Sequence, residues 1–63
     1  MKAIIYFSYF DANRAYKELR LKYNTPNDAR LNFKREFENL QSAGATRINH
    51  KIYEVTDRIW QQY

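Results

Sequence analysis

His50 is the only imidazole in this sequence, and the acids nearest to it along the chain are Glu54 and Asp57. A histidine oriented by a carboxylate can act as a general base, but base catalysis also needs a nucleophile or an oxyanion site. No such companion stands at a matching spacing, so His50 reads as an exposed residue of a turn. The carboxylates offer no better chemistry. Glu36 and Glu38 are two apart, and on a helix they point to different sides. Asp11 and Asp28 stand where helices are expected to begin, and a two-metal site needs several acids that converge. With one histidine and no cysteine, structural zinc has no ligand set. A single glycine is too few for a Walker loop or a dinucleotide fingerprint. The expectation is a protein that is not an enzyme and carries no metal and no cofactor.

Charge and aromatic rings remain. Eleven Lys and Arg against seven Asp and Glu give a net charge of +4, and the pI is about 9.6. That balance favours an anionic partner, with nucleic acid ahead of an acidic protein surface or a membrane surface. Arg14, Lys17 and Arg20, with Lys22 adjacent and Tyr16 and Tyr23 nearby, could track a phosphate backbone while rings stack on bases. Arg47 and Lys51, with Arg58 close by, make a second basic cluster. The plain alternative for both clusters is a solvated surface.

These side chains must be positioned by very little chain. A 63-residue sequence holds one domain, residues 1–63, with a marginal core. Lacking disulfides, it must rely on large rings or on self-association. Aromatic residues make up 17% of the chain, six Tyr, four Phe and one Trp, which supplies those rings. The apolar run Ala3 to Phe7 is too short for a secretory signal, and no stretch approaches the ~20 residues of a membrane span. A cytoplasmic protein without membrane contact is expected.

Lys2 to Phe10 reads as a strand, being β-branched and aromatic almost throughout. One face would carry Ala3, Ile5, Phe7 and Tyr9, and the other Ile4, Tyr6, Ser8 and Phe10. Asp11 is placed to cap a helix over Ala12 to Tyr23, whose apolar stripe is Ala12, Ala15, Tyr16, Leu19 and Tyr23. Its opposite side, Asn13, Arg14, Lys17 and Arg20, is the basic face. Thr25 and Pro26 open a second helix, with a buried stripe of Ala29, Phe33, Phe37 and Leu40, and Gly44 closes it. Beyond Gly44 the chain turns β-prone. A hairpin about Asn49-His50, two successive strands, and a strand followed by a short helix capped by Thr56 all fit.

The expected fold is α+β, in the order β-α-α-β-β, with both helices on one face of a small antiparallel sheet. No element is left to cover the row Ile4, Tyr6 and Phe10, so a homodimer or a protein partner is expected there. Trp60, large and near the chain's end, would be the strongest anchor of such an interface.

Two looser likenesses bear on function. Helix, turn, helix and hairpin describe a winged-helix layout, but the outward side of the second helix, with Arg30, Asn32, Lys34 and Arg35 among acids, is balanced in charge. The run His50-Lys51-Ile52-Tyr53-Glu54-Val55-Thr56-Asp57, with the element order and basic balance, resembles the small ribonuclease toxins of the RelE type over the last third of the chain. That resemblance implies acid-base cleavage of RNA by Arg47, Arg58 and Tyr63. The chain departs from the family by lacking the segment between its second helix and next strand. The reading that follows from the residues themselves is a small regulatory module that binds nucleic acid through the basic face. The alternative is an inhibitor or adaptor, of the phage or plasmid kind, that blocks a protein through Ile4, Tyr6, Phe10 and Trp60.

Overall fold

The computed structural model describes residues 1–63. Its elements are β1 (Lys2–Phe10), β2 (Tyr16–Tyr23), α1 (Pro26–Ser42), β3 (Thr46–Val55) and α2 (Asp57–Trp60). The three strands form one antiparallel sheet in the order β2-β1-β3, and the protein is α+β.

The expected helix over residues 12–23 is instead a turn and a strand, so the order is β-β-α-β-α. Asp11 explains both the expectation and its failure. A short carboxylate that accepts from N–H groups two or more residues on serves a helix N-cap and an Asx turn equally well. Here Asp11 Oδ1 accepts from the N–H groups of Asn13 and Ala15, each at 2.9 Å. The main chain closes around it, with Arg14 N donating to Asp11 O and Asp11 N to Ala15 O, again at 2.9 Å. Arg14 sits at φ 64, the left-handed residue that ends a three-residue hairpin loop. Past the turn, Leu19, Leu21 and Tyr23 are half-buried while Glu18, Arg20 and Lys22 are exposed. That alternation has the period of a strand.

α1 follows its sequence signals. Thr25 Oγ1 accepts from Asp28 N at 3.1 Å and Pro26 occupies the first turn. After the cap residue Ala43, Gly44 takes φ +92, and a Cβ there would lie 2.9 Å from that of Ala12. The chain's one glycine thus stands where both the backbone and the packed hairpin loop need it.

The core lies between α1 and one face of the sheet. Ala3, Ile5, Phe7 and Ala29 are fully buried, with Leu19, Leu21, Tyr23, Phe33, Phe37, Leu40, Ile48 and Ile52 packed around them. Phe7 stacks on Phe33 at 5.7 Å between centroids. β3 is one continuous strand, and His50 lies in it rather than in a turn, 4.5 Å from the Phe33 ring. A bulge separates the Ser8–Asn49 and Phe10–Thr46 pairs, with Arg47 at φ 52, the position that usually falls to glycine in a bulge of this kind.

α2 is capped by Thr56, whose Oγ1 accepts from Ile59 N at 3.3 Å. It does not join α1. Its Trp60 lies over Lys2 and Lys22, whose positions in the strands share the face turned away from α1. The helices therefore sit on opposite faces, with the four residues of α2 at one end of the sheet. With Cα extents of 35 × 22 × 13 Å, the body is thin and most of that second face is open. No helix is long and apolar enough to cross a membrane.

Candidate nucleic-acid interface

Strand pairing decides which side chains share the open face. Tyr6 lies between Arg20 of β2 and Lys51 of β3, Ile4 between Lys22 and Tyr53, Ser8 between Glu18 and Asn49, and Phe10 between Tyr16 and Thr46. Two sets of residues that sequence reasoning assigned to rival partners, Arg20, Lys22 and Lys51 on one hand and Ile4, Tyr6, Phe10 and Trp60 on the other, thus occupy one surface. Arg14 and Arg47 stand at its loop end, where with Phe10 and Thr46 they line a hollow of about 380 Å³. Lys17 does not belong. It pairs with Tyr9 and faces the α1 side. The basic helix face does not exist as such, since its residues are divided between the hairpin loop and the two faces of β2.

The rings and cations are already arranged against one another. The Arg20 guanidinium lies 4.9 Å from the Tyr6 ring centre, and Lys51 Nζ lies 5.3 Å from that of Tyr53. Lys2 and Lys22 stand 4.7 and 4.1 Å from the Trp60 ring. Lys22 Nζ also donates to the Tyr63 carbonyl at 2.8 Å, and Lys2 Nζ to Asn24 Oδ1 at 3.2 Å. Glu18 is the one carboxylate among the strand residues of this face. It accepts a hydrogen bond from the Tyr6 hydroxyl and lies 3.8 Å from Arg20. The Trp60 indole N–H is buried without an acceptor.

The row Ile4, Tyr6 and Phe10 is not the uncovered apolar strip expected from the sequence. Ile4 is only 2% exposed, and Tyr6 and Phe10 are half-buried. Ile4, Tyr6, Arg20, Tyr53, Val55 and Tyr63 line a second hollow, of about 370 Å³. Tyr53 and Tyr63 are thus members of the face that sequence reasoning missed as rings of a binding surface. The alternation Lys51, Tyr53, Val55 marks one side of a strand, but only pairing with β1 says which side. Arg47 and Arg58, joined by the toxin resemblance, lie near the start of the ten-residue β3 and in α2 past its other end, separated by most of a strand length of roughly 30 Å. They do not converge. No three His, Cys, Asp or Glu residues gather as a metal site.

The hydrogen bond to Glu18, followed by the neighbouring Tyr16, raises the Tyr6 hydroxyl well above the usual tyrosine range, and burial raises Tyr23. The unfolded chain gives up these protons near pH 10 while the folded chain keeps them. The unfolded state then binds fewer protons, so stability falls as pH rises above about 10. Unfolding midpoints in urea at pH 8 to 11 should show this decline, and Tyr6→Phe should make it shallower. A midpoint independent of pH over that range would show that the bond to Glu18 is not kept in solution.

The chain matches no protein-family model, no curated protein and no solved structure, so its functional reading rests on the chemistry of the open face.

Proposed function

We propose that this protein is a non-enzymatic module that binds single-stranded nucleic acid across the open face of its sheet. The observation that carries the reading is the pairing of rings with cations on that face: Arg20 with Tyr6, Lys51 with Tyr53, and Lys22 with Trp60. Bases stack on exposed rings while neighbouring cations meet the phosphates, and this is how sheets take up unpaired strands. The distribution of charge agrees. α1 holds Arg30, Lys34 and Arg35 against Asp28, Glu36 and Glu38, so the whole surplus of +4 lies outside it.

Fluorescence anisotropy of labelled single- and double-stranded DNA and RNA, at ~50 and ~200 mM salt, tests the reading. Single strands should bind more tightly than duplexes, whose rings and bases are already stacked. With about three to five phosphates neutralised, the slope of log K against log salt should be roughly −2 to −3.5. Absence of binding at the lower salt would overturn the proposal. The same face would then be read as the docking surface for an acidic protein or a second copy. The hollow around Tyr53 and Tyr63, lined by five hydrophobic residues and Arg20, favours that as the second reading.

A further inference from the structure

Arg14 and Arg47 share three features. Both hold left-handed backbone, at φ 64 and 52, and they are the only residues besides glycine to do so. Each would be relaxed by glycine, yet the chain spends its one glycine at position 44. Both line the same hollow, Arg14 from the hairpin loop and Arg47 from the bulge of β3, with Phe10 and Thr46 completing it. Neither has an anionic partner, since the ion pairs of the protein involve Arg20, Lys34 and Arg35. The acid nearest to Arg14, Asp11, is turned inward on the loop's own N–H groups.

Two guanidinium groups held on one hollow repel each other unless an anion lies between them. Backbone strain of this kind is held by the surrounding structure and clusters at sites that bind ligands. The fork of a guanidinium matches the oxygens of a phosphate, and the Thr46 hydroxyl supplies a further donor. Paired cations suit a phosphate monoester, which carries close to two negative charges at neutral pH, better than a diester, which carries one. Phe10 stands edge-on to Tyr16 at 5.7 Å and offers a ring beside the hollow on which the attached base can stack.

We propose that this hollow is a phosphate-monoester site that takes the phosphorylated end of the bound strand, with its terminal base on Phe10. The inference rests on the single-strand reading for the source of that phosphate. A free nucleoside monophosphate carries the same chemistry and is the other source.

The test compares dT10 carrying a 5′- or 3′-phosphate with its hydroxyl counterpart, each labelled at the opposite end, by anisotropy. A parallel arm measures the thermal midpoint of the protein with millimolar AMP or adenosine. One phosphorylated end should bind roughly tenfold tighter than the hydroxyl form, and AMP but not adenosine should raise the midpoint. Arg14→Gly with Arg47→Gly should erase both effects while raising the midpoint of the free protein, since glycine relieves the backbone at both positions. A merely structural arginine pair would not give that combination. Arg30→Gln with Lys34→Gln removes the same charge from α1 and should leave the tenfold preference in place.

Equal affinity for phosphorylated and hydroxyl strands, with no effect of AMP, overturns the inference and leaves the single-strand reading standing. Stabilisation by AMP without binding of any strand overturns the strand reading and assigns the hollow to a free mononucleotide. A preference that survives in the double glycine variant places the phosphate elsewhere and also overturns the inference.

Discussion

Phe7→Ala is expected to leave this protein largely unfolded at 25 °C without denaturant. Phe7 is fully buried at the centre of β1, stacked on Phe33, and flanked by Leu19 on β2 and His50 on β3. Truncating a buried phenylalanine costs about 3–5 kcal/mol, the transfer of the ring plus the cavity it leaves. A chain of this length has a total stability of roughly 3–9 kcal/mol. Only six of its 63 residues are buried, so it sits low in that range and has few neighbours to collapse into the gap. Circular dichroism through a urea titration should show the folded baseline lost or the midpoint moved close to zero. Phe7→Leu, which keeps most of the volume, should recover a cooperative transition. Should Phe7→Ala shift the unfolding free energy by less than about 1 kcal/mol, well below the cost of a buried ring, the packing of α1 on β1 would not be what holds the chain.

The second large effect concerns the open face. Tyr6→Leu with Tyr53→Leu removes two rings while keeping apolar bulk and every charge. Loss of a stacked base costs about 1–3 kcal/mol per ring, so affinity for a single strand should fall roughly thirtyfold or more. Its salt slope should not change, because no phosphate contact has been removed. Arg20→Gln with Lys51→Gln should behave in the opposite sense, making the slope shallower by about 1.4 with a smaller loss of affinity at high salt. Anisotropy over a salt series separates the two. If the leucine pair binds as tightly as the parent, the rings are packing groups and the face binds by charge alone.

The parts of the fold that were legible in the sequence are those whose signals are local. Thr25, Pro26 and Gly44 mark the limits of α1, and Ala29, Phe33, Phe37 and Leu40 mark its inner side, because capping chemistry and a 3.6-residue period need no distant partner. The two faces of β1 were also legible, since alternation assigns them directly. Residues 12–23 were misread because Ala12 and Ala15, taken as part of a helical stripe, belong to a turn. Without them, Leu19, Leu21 and Tyr23 alternate as a strand. The site was legible in its residues and illegible in its arrangement. Arg20 and Lys51 are 31 positions apart in the chain, and only their pairing on either side of Tyr6 brings them together. Register is a long-range property that composition and spacing do not carry.

The central place of β1 has a consequence for how the protein is made. Ala3 to Phe10 contains no charge, no proline and no glycine, which is the profile of a segment that stacks on copies of itself when its edges are free. During synthesis β2 can close one edge as soon as Tyr23 emerges, but the other waits for Val55. At ordinary elongation rates that interval is roughly 2–6 s. For that time a half-built sheet offers an open edge of its most self-adhesive strand, so the yield of soluble chain depends on how quickly the ribosome delivers β3 and on how far apart neighbouring nascent chains are kept.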